Sequence, residues 1–371
     1  MNLVLWVFSP SAMLCAIFIS YFYLLFTLPF LSQRISDDLF ILGIFCGILS
    51  IIFFRFKYKR VEPNKNILTV NLIVINLLFL LIEIYLRIIF KFDFSPQLDN
   101  RFLIPGFGLI SSLFLIGSLF GIAILSNVQD RLQKYLFIGL LFIIGVQIGG
   151  KGFIIPLLFG YGLSIRLGFR EFKLIHVWAL FGGALVAIFG LFLILGGNFS
   201  DAIDHIIIRL MLSADSVNWL SKMEYVEILK FPIENISYFS DIILRLVGLR
   251  INQRAVGSEI AYLVAGDDAG GGPNSNLPIL IYLLNHGNII ASFVLMTTIF
   301  ILLKIAIEIS SFYINHRSIN SFYFYLIIFI MPNIVIDLMV FLQFIFWIMI
   351  IYLSSALWIY FSGEWEILQS N

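Results

Sequence analysis

The sequence predicts an all-α fold, a polytopic transmembrane helical bundle of about ten spans with one large outer loop that contains short helices. Three observations carry the prediction. Hydrophobic residues make up 61% of the 371 positions and charged residues only 12%, where a soluble domain carries about 25% charge. The apolar residues gather into runs, and about 20 of them in a helix suffice to cross about 30 Å of hydrocarbon. The basic residues between the runs fall on alternate connections, as the positive-inside rule requires.

In order, the runs cover residues 3–31, 39–54, 67–90, 102–125, 135–147, 152–165, 174–195, 277–303, 322–337 and 343–360. The first is far longer than the roughly 7–15 apolar residues of a cleaved signal peptide, so a retained helix is expected. The fifth and sixth are short, with Gly149, Gly150 and Gly152 at their turn. The ninth and tenth form nearly one run, divided near Phe341. Three regions follow: residues 1–195 with helices one to seven, the outer loop 196–276, and residues 277–371 with helices eight to ten and a cytoplasmic tail. Cys15 and Cys46 both lie in apolar runs and read as small buried hydrophobes, not as a disulfide or a metal site.

Charge sets the orientation. The connection with Arg55, Lys57, Lys59, Arg60 and Lys65 is strongly basic and so is expected in the cytoplasm. Alternation then places Arg131/Lys134, Arg166/Arg170/Lys173 and Lys304/Arg317 on the same side, with both termini. The short outer connections hold only Arg34, Lys91, Arg101 and Lys151. The outer loop is much longer than an ordinary connection. Its own lysines and arginines do not violate the topology, because long translocated segments escape the rule. It reads as folded. Ser200 or Asp201 can cap a helix in which Ile203, Ile206, Ile207, Leu210 and Met211 share a face. Asp201, His205 and Arg209 line the other face. Residues 241–251 give a second short helix, and 266–273 (GDDAGGGP) a turn. No basic stretch outside the cytoplasmic connections is dense enough for nucleic acid.

Polar groups inside a membrane are costly and count as functional candidates. Glu83 and Arg87, four apart, can pair. They serve as well as a structural pair, with Arg87 near enough to the interface to snorkel. Asp337 ends the ninth run. His286 lies nine residues into the eighth, roughly 13 Å deep, where helix packing is the competing role. Lys151 sits at the outer turn. With the loop above them, these residues are expected to line one outward-facing cavity. No Gly-x-Ser-x-Gly, His-Glu-x-x-His or Walker A motif occurs. Asp267-Asp268 lacks a third carboxylate for a metal.

The segment Gly270-Gly-Gly-Pro-Asn-Ser-Asn276 leads into a helix that reads Leu284-Asn-His-Gly-Asn-Ile-Ile290. This resembles the end of the large outer loop in Wzy-type O-antigen polymerases and, more distantly, in O-antigen ligases. In that pattern a polar element precedes a glycine by about eleven to thirteen residues, as Asn276 and Asn274 precede Gly287 here. Gly149-Gly-Lys-Gly152 resembles the Gly-Ser-Arg-Gly element of the same families, and Arg209-Leu-Met-Leu-Ser-Ala-Asp215 their Arg-x-x-Leu segment. The likeness covers most of the chain as topology but only these three patches as motifs. The chain departs from the ligase pattern, which places a histidine where Asn274 or Asn276 stands. It also lacks an Arg-x10-Gly pattern and has slightly fewer spans than the family's eleven or twelve.

The resemblance implies an undecaprenyl-pyrophosphate-linked oligosaccharide as donor and acceptor, no cofactor, and a chain-length regulator protein as a possible partner. It also implies work at the periplasmic face of the bacterial inner membrane. Such a reaction needs cations for the leaving pyrophosphate. Arg209, Arg245, Arg250, Arg254 and Lys151 are the candidates. The acceptor hydroxyl needs a base, for which Asp215, Glu259 and His286 stand out, with His205 and Asp268 also available. Trp219, Tyr225, Tyr238 and Tyr262 offer flat faces to sugars, or pack on the membrane surface. The alternatives are a lipid-linked oligosaccharide flippase or other transporter, an O-antigen ligase, and a structural subunit. Transporters favour internal repeats and broken midplane helices, and no repeat is evident.

Overall fold

The computed structural model describes residues 33–53, 65–89, 107–147, 154–171, 228–232, 256–266, 277–313, 319–331 and 333–362, with single positions at 173, 175, 178 and 182. Every regular element among them is helical. These are α1 (Gln33–Phe53), α2 (Lys65–Ile84, continued by a π-helical turn Tyr85–Ile89), α3 (Phe107–Ile124), α4 (Arg131–Gln147) and α5 (Ile154–Arg166). They continue with α6 (Val256–Ala265), α7 (Leu277–Leu284), α8 (Ile289–Tyr313), α9 (Ile319–Ile330), α10 (Asn333–Ile336) and α11 (Leu338–Phe361). Runs two to six thus each hold one helix. The run at 3–31, nearly all of 174–195, and the loop helices expected at 203–211 and 241–251 lie outside the described residues.

Among the described residues, three stretches are long and apolar enough to cross a membrane: Lys65–Ile88, Ile289–Ile309 and Val340–Phe361. Gly108–Ile124 and Ser321–Ile330 are shorter apolar helices. Large apolar side chains cover the outside, among them Leu81, Ile88, Leu132, Phe142, Ile290 and Leu302. In water such exposure costs about 25 cal/mol per Å² of apolar surface. Hydrocarbon removes that cost, and the chain is a membrane protein. Cys46 is fully buried on α1, as expected of a small hydrophobe.

Two expected boundaries change. The run 277–303 is not one helix. It breaks after Leu284, and α8 starts at Ile289. Asn285-His286-Gly287-Asn288 stops one helix and starts the next, a local signal that the strong hydropathy on either side masks. The division between the last two runs falls at Asp337, not near Phe341. Asp337 caps α11, its Oδ1 accepting from the Val340 amide at 3.2 Å. Asp130 and Asn288 likewise cap α4 and α8 through side-chain oxygens.

The core is built from α2, α3, α4, α5 and α11, with α1 and α8 packed together beside it. The α3–α5 pair is tight because Gly160 faces α3. A Cβ there would lie 2.6 Å from the Leu119 carbonyl oxygen and 2.9 Å from Ile122 Cβ. Lipid tails are as apolar as leucine, so membrane helices associate through close packing of this kind and through polar contacts.

Contacts taken in pairs fix the helix directions. Phe45 meets Phe293 and Phe53 meets Phe300, so α1 and α8 are parallel. Asn76 bonds to Gln133 and Gln147 to Glu83, so α2 and α4 are parallel. Gly160 faces Leu119, and Ser126 donates to the Phe169 carbonyl, so α3 and α5 are parallel. The start of α11 lies beside the start of α3, where Trp347 Nε1 donates to the Leu109 carbonyl at 2.9 Å. Its end lies beside the start of α2, where Ile359 packs with Ile67 and Val70. Since α7 packs on α10, α8 and α11 start from the same end. These are the relative directions that alternation of the runs predicts.

Candidate functional site

The site is built on the last turn of α2. Glu83 sits there in an otherwise apolar sequence, Leu80-Leu81-Ile82-Glu83-Ile84. The backbone then widens into the π-helical turn Tyr85–Ile89. Such turns are rare and frequent at functional positions. Arg87 lies within that turn and donates from Nε to Glu83 Oε1, the pair expected from their spacing. Only 13% of the Glu83 side chain is exposed, against 49% of Arg87. The carboxylate is therefore held inside the bundle while the guanidinium reaches its edge.

Gln147, the last residue of α4, completes the group. It is buried and donates from Nε2 to the same Glu83 Oε1 at 3.2 Å. Two donors thus converge on one carboxylate oxygen. The other, Glu83 Oε2, and the Gln147 carboxamide oxygen are both buried with no hydrogen-bond partner. Most buried polar atoms are satisfied, so two unpaired acceptors in one group call for an explanation. Sequence reasoning missed Gln147. The available signal was a single amide closing an apolar run, two residues before Gly149-Gly150-Lys151-Gly152.

His286 lies at the same end of the bundle, in the turn between α7 and α8. The turn is a Schellman motif: the Gly287 amide donates to the Tyr282 carbonyl and the His286 amide to that of Leu283, both at 2.9 Å. Gly287 has φ 75° and His286 φ 51°. A left-handed conformation costs a non-glycine residue about 1–2 kcal/mol. The His286 side chain is exposed. His286 thus lies in a turn between two helices, not nine residues into a continuous one. Beneath it, Tyr282 is fully buried and donates its hydroxyl to Asp38 Oδ2 on α1 at 2.9 Å, tying α7 to α1.

Of the other predicted residues, Glu259 is 1% exposed, in the first turn of α6. Ile260, its neighbour, belongs to the common core, so α6 packs onto the other helices. Tyr262 is exposed on the same helix. Asp215, Arg209, Arg245, Arg250, Arg254, Lys151, Asn274 and Asn276 lie outside the described residues, as do His205, Asp268, Trp219, Tyr225 and Tyr238. The structure brings together Glu83, Arg87 and Gln147, and sets the turn at His286 and the cap at Asp337 at that same end. Among the described residues, no three of His, Cys, Asp and Glu are grouped as metal ligands. No protein-family model, no curated protein and no solved structure matches the chain.

Proposed function

We propose that the chain is a membrane glycosyltransferase, an O-antigen or surface polysaccharide polymerase of about ten spans. It joins undecaprenyl-pyrophosphate-linked repeat units at the periplasmic face of the bacterial inner membrane, with both termini in the cytoplasm. The observation that carries this reading is the gathering of Glu83, Arg87, Gln147 and the His286 turn at one end of the bundle. By the charge pattern of the connections, that end faces away from the cytoplasm. It is also the end to which the loop 196–276 returns before α7. The reaction breaks the bond between the donor sugar's anomeric carbon and pyrophosphate, and forms one from that carbon to an acceptor hydroxyl oxygen. The hydroxyl proton passes to a base, drawn from Asp215, Glu259 and His286. Undecaprenyl pyrophosphate leaves, its charge met by Arg209, Arg245, Arg250, Arg254 and Lys151. Asn274 and Asn276 take the acceptor side. A chain-length regulator is the expected protein partner.

One observation favours a transporter instead: the helix break at residues 285–288, since transporters bind substrates at interrupted helices. Those interruptions lie at the midplane, whereas this one precedes a complete spanning stretch, and the polymerase reading is preferred. The test replaces Arg209, Arg245, Arg250 and Arg254 singly by Ala in cells lacking the chromosomal copy, with membrane levels matched. Polysaccharide is then resolved by chain length. The unmutated protein restores a ladder, and at least one variant gives a single repeat unit only. If loss of the protein abolishes every surface repeat unit, the reading fails and a flippase or ligase replaces it.

A further inference from the structure

We infer that the outer end of α2 and α4 holds a binding site for a group with two neighbouring uncharged hydroxyls, formed by Glu83 Oε2 and the Gln147 carboxamide oxygen. This goes beyond the polymerase reading and does not depend on it.

Charge and hydrogen-bond count define what the group can bind. Glu83 and Arg87 form an ion pair, so the group is already neutral. A cation entering it would meet a guanidinium alongside a single carboxylate, and the other oxygen present is an amide. That set is poor for a metal. Two acceptors within the group have no donor. Glu83 Oε1 takes two, from Arg87 Nε and Gln147 Nε2. Glu83 Oε2 and Gln147 Oε1 take none, although both are buried. A buried acceptor left unpaired is costly, and the cost is larger in a low-dielectric surrounding. Two acceptors on adjacent side chains fit two hydroxyl donors of one molecule. The Nε2–Oε1 contact of 3.2 Å keeps the two side chains in register. Arg87, 49% exposed, marks the side from which a ligand enters.

Vicinal hydroxyls reach this end of a membrane protein from two sources, a glycan or the headgroup of phosphatidylglycerol. Full-length protein is placed in phosphatidylcholine nanodiscs, which offer no hydroxyl donors in the headgroup. Saturation-transfer-difference NMR is recorded with methyl hexopyranosides at millimolar concentration. In parallel, thermal unfolding is compared between phosphatidylcholine and phosphatidylglycerol nanodiscs. Gln147→Met removes the amide acceptor at similar volume, and Glu83→Gln serves where the first variant fails to fold. A glycoside signal reduced at least fivefold by the variant establishes a sugar as the ligand. Stabilisation by phosphatidylglycerol that disappears in the variant establishes the lipid headgroup. If neither response depends on Gln147 or Glu83, the acceptors are met by water alone and the inference is overturned. Failure of the polymerase reading would show in the polysaccharide ladder and leave these binding measurements unaffected.

Discussion

Asp337 shows how far a single residue can be read from sequence. As an acidic group at the end of an apolar run it counts as a functional candidate. In the structure it caps α11, with Oδ1 on the Val340 amide and its carbonyl on the Phe341 amide. Asp337→Ala is expected to cost about 1 kcal/mol of stability, and Asp337→Asn to keep the cap and nearly all of the stability. Thermal unfolding in detergent measures both. An Asn variant that unfolds like the unmutated protein yet loses the polysaccharide ladder would show a role beyond capping. Glu83 and Arg87 were legible as a pair because four-residue spacing on a helix brings side chains together whatever surrounds them. Gln147 was not, because its partner lies on another helix and nothing in a linear sequence gives the crossing of α2 with α4.

Among the elements, the long spans were legible and their interruptions were not. Hydropathy averaged over about 20 residues finds Lys65–Ile88 and Val340–Phe361 without difficulty. The same averaging hides a four-residue break, so residues 277–303 read as continuous. The chemistry of Asn285-His286-Gly287-Asn288 points the other way: glycine tolerates φ 75°, and asparagine caps the next helix. His286 occupies a left-handed position that glycine fills without strain. His286→Gly is therefore expected to raise stability by about 1 kcal/mol, read as a higher unfolding midpoint. An unchanged or lower midpoint would mean that the imidazole makes interactions worth at least as much as the strain. The expected outer-loop helices at 203–211 and 241–251 fall outside the described residues, whereas α6 was not foreseen. Its sequence, Val256 to Ala265, is too short to stand out as an apolar run.

At the scale of the whole molecule, the alternation of runs agrees with the relative directions of α1 to α5, α8 and α11 that their contacts give. That legibility has a physical source. A chain that must satisfy its backbone inside hydrocarbon has few choices beyond helices that cross and return. Function was less legible, because the resemblance rests on three short patches and the residues proposed for chemistry lie mainly in the loop. The polymerase reading requires the Glu83 end to face away from the cytoplasm, and this can be measured directly. In a variant with Cys15 and Cys46 replaced by Ala, single cysteines are introduced by Arg170→Cys and His286→Cys. Each is challenged with a membrane-impermeant thiol reagent in spheroplasts and in inverted vesicles. The account predicts that the cysteine at 286 reacts in spheroplasts, and the one at 170 only in inverted vesicles. The reverse pattern, or reaction of both from the same side, would contradict the orientation and with it the periplasmic polymerase.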